Sequence, residues 1–89
     1  MATVRDLVKA GLIYDGEQLE WIRPTQGIVH FAKVSAIGVI STSDGVSHKS
    51  PSGAARHYYQ KPINGWAAWK VIRTGKSLAE TRKLFINQF

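Results

Sequence analysis

Between residues 18 and 49 the chain carries four short apolar-rich runs separated by gaps too short for anything but an antiparallel return. The runs are 18–23 (QLEWIR), 28–35 (IVHFAKVS), 39–42 (VIST) and 46–49 (VSHK). The gaps each hold a glycine: Pro24-Thr25-Gln26-Gly27, then Gly38, then Asp44-Gly45. Parallel neighbours need a crossover of roughly a dozen residues or more, which no gap supplies. Glycine gives tight turns the left-handed backbone that other residues resist. A β-meander is therefore expected. The second run leaves its buried face open, because Val29 and Phe31 fall on one side and Ile28 and Val34 on the other.

Helical signals flank this block. Thr3 can cap a first helix with Asp6 at its third position, close to a capping box. Val4, Leu7 and Val8 form its apolar stripe, Gly11 stops it, and Leu12 and Ile13 fold back onto it. Asp15-Gly16 turns into the first strand. Ser50-Pro51 opens a second helix with a cap and a proline whose missing N–H is tolerated there. Its buried stripe is expected to be Pro51, Ala54, Ala55 and Tyr58, with Ser52, Arg56 and Tyr59 on the other side. Residues 61–65 are a loop and 66–74 suit a last strand. Ser77-Leu78-Ala79-Glu80 is a full capping box for a last helix over 78–87, with Leu78, Thr81, Leu84 and Phe85 inward and Arg82 and Lys83 outward. The expected fold class is one α+β domain over 1–89. A small antiparallel sheet of four to five strands carries two to three short helices.

At 89 residues such a domain buries only somewhat more than ~60% of its unfolded surface, which leaves little room for a deep active site. The chain has no cysteine, hence no disulfide framework and no thiolate metal site. No run approaches the ~18 apolar residues of a membrane span. The start, Met1 to Asp6, lacks the basic-then-apolar pattern of a signal peptide, so a cytoplasmic location is expected.

Charge is uneven. The formal net charge is +6. Residues 1–45 hold four basic groups against five acidic ones, whereas residues 46–89 hold eight basic groups against Glu80 alone. A segment of one sign repels itself, and a polyanion relieves that repulsion. The basic groups of residues 50–73, Arg56, Lys61, Lys70 and Arg73, are interleaved with Tyr58, Tyr59, Trp66 and Trp69. Cations bind phosphates and flat rings stack on unstacked bases, so this stretch is the candidate nucleic-acid surface. For the tryptophans and Tyr58, core packing is the simpler expectation, and Tyr59 is expected at the surface.

Catalytic and cofactor motifs are weak. Gly75-Lys76-Ser77 resembles the end of a phosphate-binding loop, but Lys70 stands where that motif needs its first glycine, and the capping box explains the residues. His30, His48 and His57 lack metal-ligand spacing, though His57 beside Arg56 suits a phosphate contact. There is no nucleophile elbow and no defensible pair of carboxylates, so neither enzymatic activity nor a cofactor is expected.

The same blocks carry a resemblance. Ser50-Pro51-Ser52-Gly53-Ala54-Ala55, then Asn64-Gly65-Trp66 with Trp69-Lys70, then Gly75-Lys76-Ser77-Leu78 with Glu80 and Arg82, resemble the RAMA domain, the restriction enzyme–adenine methylase associated domain. The opening is similar too, with Val4, Leu7, Ala10-Gly11-Leu12, Gly16 and Leu19, so the resemblance runs over about residues 3–82. Beyond it, 83–89 form a helical tail. The resemblance implies a DNA-binding module associated with DNA methyltransferases and restriction enzymes, with a proposed preference for modified bases such as N6-methyladenine. It implies DNA-facing roles for Ser50, Ser52, Asn64, Trp66, Trp69 and Lys70. This chain departs from the pattern at Ile37, where a polar turn residue is usual, and it is expected to stand without a fused enzyme.

The expectation is a free-standing module that binds DNA, with duplex as the expected form. The second helix would offer Ser50, Ser52 and its N–H groups to a phosphate, while Arg56, Lys61, Lys70, Arg73 and Lys76 neutralise neighbours. Asn64 belongs to this site by resemblance, and Trp66 or Tyr59 would touch a base or sugar. A DNA methyltransferase or restriction enzyme is the expected protein partner. Two other classes fit the residues: an adaptor docking through Phe85 to Phe89, and an RNA-binding domain.

Overall fold

The computed structural model describes residues 2–88. Its elements are α1 (Val4–Lys9), β1 (Glu17–Arg23), β2 (Ile28–Val34), β3 (Ile40–Thr42), β4 (Ser47–His48), α2 (Pro51–Tyr58), α3 (Gly65–Ala68), β5 (Lys70–Val71) and α4 (Leu78–Gln88). The five strands form one antiparallel sheet in the order β4-β3-β2-β1-β5. The meander is the expected one, and β5 returns to close its other edge beside β1. The architecture is α+β, with four helices where two to three were expected.

The helix ends follow the sequence signals. Thr3 Oγ1 accepts a bond from Asp6 N at 3.3 Å while Asp6 Oδ2 accepts one from Thr3 N at 2.8 Å, which completes the capping box. These bonds from Thr3 pull the Asp6 carboxyl below its ordinary range. Ser77 and Glu80 cap α4 by the same exchange, each bond at 3.1 Å.

Alternation along the strands settles the open face assignment. Leu19 and Trp21 of β1, Ala32 and Val34 of β2, Ile40 of β3 and Val71 of β5 are buried on one side. Leu7, Ile13, Ala54, Ala55, Trp69 and Leu78 complete that core. The other side carries Ile22, Val29, Phe31 and Ile72, all exposed. So Val29 and Phe31 of the second run face solvent, although their side chains are apolar.

Residues 66–74 do not form the expected strand. They divide into the short helix α3, a two-residue strand and a turn. Asn64 starts the helix because its Oδ1 accepts a bond from Trp66 N at 3.1 Å, and two alanines favour its continuation. Gly65 makes the position possible. A Cβ built on it would lie 2.1 Å from the carbonyl of Pro51, so only glycine lets α3 rest on the start of α2. Two further corrections concern α4. Leu84 is exposed rather than inward, and Arg82 is half-buried rather than outward. Phe85 packs against the core, and Phe89 lies outside the described residues.

Candidate nucleic-acid interface

The two conspicuous sequence blocks meet in space and hold each other. Ser50 Oγ caps α2 by accepting from Gly53 N at 3.0 Å. Ser52 Oγ accepts from Gly65 N at 3.1 Å. The fully buried Trp69 donates its indole N–H to Pro51 O, also at 3.1 Å. Together with the Gly65 contact, these bonds make a latch between α2 and α3. The start of α2 is thus covered by α3. Both serine hydroxyls of the expected phosphate site thus accept bonds from the protein's own backbone. Asn64 is likewise committed as a cap.

The other expected site residues separate. Arg73 leaves the group first. Its Nη2 and Nε donate to the buried Glu17 carboxylate at 2.7 and 3.1 Å, and its guanidinium lies 4.4 Å from the Tyr14 ring. Glu17 accordingly raises the Arg73 pKa. An acid from the weakly charged first half therefore neutralises one of the five cations expected to bind phosphate. Lys70 pairs with Glu20 in register, and the neighbouring Val71 points into the core, so Lys70 lies on the open side of the sheet. Lys76 lies in the exposed turn after β5, where it and Lys70 both act on Glu80. These lysines are on a different part of the molecule from α2. The single continuous cationic surface expected from the sequence is thus divided.

What remains on the helical side is a track along α2. At its N-terminal end is a cleft of about 230 Å³ lined by Thr3, Val4, Lys49, Ser50, Pro51, Trp66 and Arg82. Trp66 is half-buried, and the Arg82 guanidinium lies over its ring at 4.1 Å. Such a cation–π contact is worth about 0.5–1 kcal/mol near the surface. Along the helix lies the exposed Arg56, and beyond its C-terminus the exposed Lys61. Lys49, Arg56 and Lys61 make no ion pair among the described residues. At that far end Arg23 sits 5.0 Å from the Tyr59 ring and 5.1 Å from Trp21. Tyr59 is therefore half-covered rather than fully exposed.

Lys49 and Arg82 were not among the expected site residues. Helical periodicity carried the signal for Arg82, since it follows the buried Leu78 by four residues and so shares its packed face. Lys49 has the plainer signal of standing next to the cap Ser50.

Beneath α2 runs a ladder of rings that spacing did not reveal. Trp69 contacts Trp21 edge-on at 5.8 Å, Trp21 contacts His30 at 5.3 Å, and His30 stacks on Tyr58 at 3.9 Å. His57 and His48 continue it at 5.0 and 4.9 Å. His57 Nε2 meets Asp44 Oδ2 at 2.5 Å, so it pairs within the protein rather than standing free for a phosphate. The Thr42 hydroxyl and then His57 hold the Asp44 carboxyl down at about 2. Burial lowers the pKa of His30, helped by Arg23, and also that of His48.

Four of the six acids are thus engaged: Asp6 and Glu80 in caps, Glu17 with Arg73 and Asp44 with His57. A family model described as Restriction Enzyme Adenine Methylase Associated, RAMA, matches residues 1–89. No curated protein gives a match.

Proposed function

The chain belongs to the RAMA family, and from that premise we propose that it is a DNA-binding module which grips duplex DNA for a restriction or methylation enzyme. The family's description supplies the association with restriction enzymes and adenine methylases. The observation that carries DNA binding is the division of charge. Most acids are engaged in caps and ion pairs, while exposed cations stand before α2 at Lys49, on it at Arg56 and after it at Lys61, with Arg82 beside Lys49 in the cleft. In this reading Lys49 and Arg82 hold a phosphate beside the Trp66 ring. Arg56 and Lys61 then follow the backbone, and the chemistry is left to the associated enzyme. Contacts of this kind give register and affinity rather than sequence preference.

The test is fluorescence anisotropy with a labelled duplex across a salt series. Phosphate contacts from these four cations give a slope of log affinity against log salt of roughly −3 to −4. The Lys49→Glu change should weaken binding and make that slope shallower by about 1. A flat salt response at measurable affinity overturns the reading. Running the series with matched duplexes that carry N6-methyladenine or plain adenine measures whether a modified base is preferred.

A further inference from the structure

The β1–β2 hairpin is longer than the sheet that holds it. Its two strands pair through seven positions, from Glu17↔Val34 to Arg23↔Ile28. β5 reaches only Leu19 and Glu20 of β1, and β3 reaches only Ala32 to Val34 of β2. Residues 21–23 and 28–30 therefore have no strand beside them on the outer edge. The four-residue turn beyond them is closed by bonds from Gln26 N to Arg23 O and from Gly27 N to Pro24 O, both 3.1 Å. All of residues 24–29 are exposed, and no side-chain hydrogen bond holds Thr25 or Gln26 among the described residues.

We propose that this projecting two-stranded ribbon is a second DNA-contacting element that enters the major groove. The inference rests on the DNA-binding reading and adds a groove to it. Three observations support it. Size is the first, since the major groove is about 12 Å wide and admits a two-stranded ribbon. Charge is the second. From Trp21 to Ser43 the chain has no acid, and its cations are Arg23 and Lys33, so the ribbon meets a polyanion without repulsion.

Position is the third observation. Arg23, at the ribbon's exposed end, packs on Tyr59 at the C-terminal end of α2, while the Lys49–Trp66–Arg82 cleft lies at its N-terminal end. Eight residues of α2 put about 12 Å between them, the width of one major groove. A phosphate held in the cleft thus leaves the ribbon over the groove beside that strand. Gln26 is of the type that pairs with adenine edges, and the exposed Ile28 and Val29 suit thymine methyl groups.

The test compares the wild-type chain with Thr25→Glu/Gln26→Glu, a change confined to the exposed turn, and with Lys49→Glu. The turn variant should keep the wild-type circular dichroism and Tm yet lose at least tenfold in duplex affinity. Methyl green, which occupies the major groove, should compete with the wild type, and distamycin, which occupies the minor groove, should not. If the turn variant binds like wild type while Lys49→Glu binds weakly, the ribbon proposal falls and the DNA-binding reading stands. If distamycin competes and methyl green does not, the groove assignment falls. Absence of wild-type duplex binding removes both. A wild-type dimer in light scattering that the turn variant splits, with DNA affinity unchanged, overturns the proposal in favour of a contact between chains.

Discussion

The latch between α2 and α3 and the free end of the β1–β2 ribbon use polar residues in opposite ways. In the latch Ser50, Ser52, Asn64 and the Trp69 indole each bond to the protein's own backbone. At the ribbon end Thr25 and Gln26 are exposed and make no side-chain hydrogen bond among the described residues. The latch holds the most distinctive stretch of the sequence and the ribbon turn an ordinary one. A motif that is conspicuous because it builds a crossing has few groups left for a ligand. Outside the latch, Lys49, Arg56, Lys61 and the ribbon turn are exposed, and recognition is to be sought there.

A pair of glycines gives the sharpest contrast. Gly65→Ala puts a Cβ into the Pro51 backbone, which cannot move without parting the two helices. We expect a loss of about 4 kcal/mol or more, enough to unfold a domain this small. Gly27→Ala strains a left-handed turn at φ 65° but meets nothing within 4 Å, so about 1 kcal/mol is expected. Urea melts of the two variants read the difference directly. Equal losses would break the comparison.

Smaller changes follow the same division. Ser52→Ala leaves Gly65 N without its acceptor in a half-buried setting and should cost about 1–3 kcal/mol. Asn64→Ala removes the α3 cap and should cost about 1 kcal/mol. Thr25→Ala in the ribbon turn should stay within about 0.5 kcal/mol.

These magnitudes also show what the sequence made legible. Capping boxes, glycine turns and the proline after Ser50 are local devices, and they marked α1, α2, α4 and the meander correctly. α3 escaped because its reason is not local. Trp69, Val71 and Ile72 look like a strand by composition, and only the seating of Gly65 on Pro51 makes residues 65–68 helical. The site was less legible than the fold. Charge counting could not see that Glu17, 56 residues away in sequence, would take Arg73 out of the cationic group. Nor could it see that the sheet would place Lys70 away from α2.

The smallest expected effect is one of pH. Burial lowers the pKa of His30 from the ordinary 6.5. Below that ordinary value the unfolded chain takes up a proton that the folded ring resists. Stability is therefore present above pH 6.5 and declines as pH falls through it. His48 acts in the same direction. Tm should drop between pH 7.5 and 5.5, and His30→Phe, which keeps a ring on Tyr58, should reduce that drop. An unchanged drop in the variant would show that His30 does not contribute.

In the proposed reading DNA meets Lys49, Trp66, Arg56 and Lys61 along α2 and not the interior of the latch. The two α3-region tryptophans test this in one spectrum, because Trp66 faces the cleft while Trp69 is fully buried with its indole N–H on Pro51 O. In an NMR titration with duplex DNA, the Trp66 indole N–H and the Lys49 and Gln26 amides should shift while the Trp69 indole N–H stays in place. A shift at Trp69 with Trp66 unmoved, or shifts confined to the Lys70 and Lys76 side of the sheet, would contradict it.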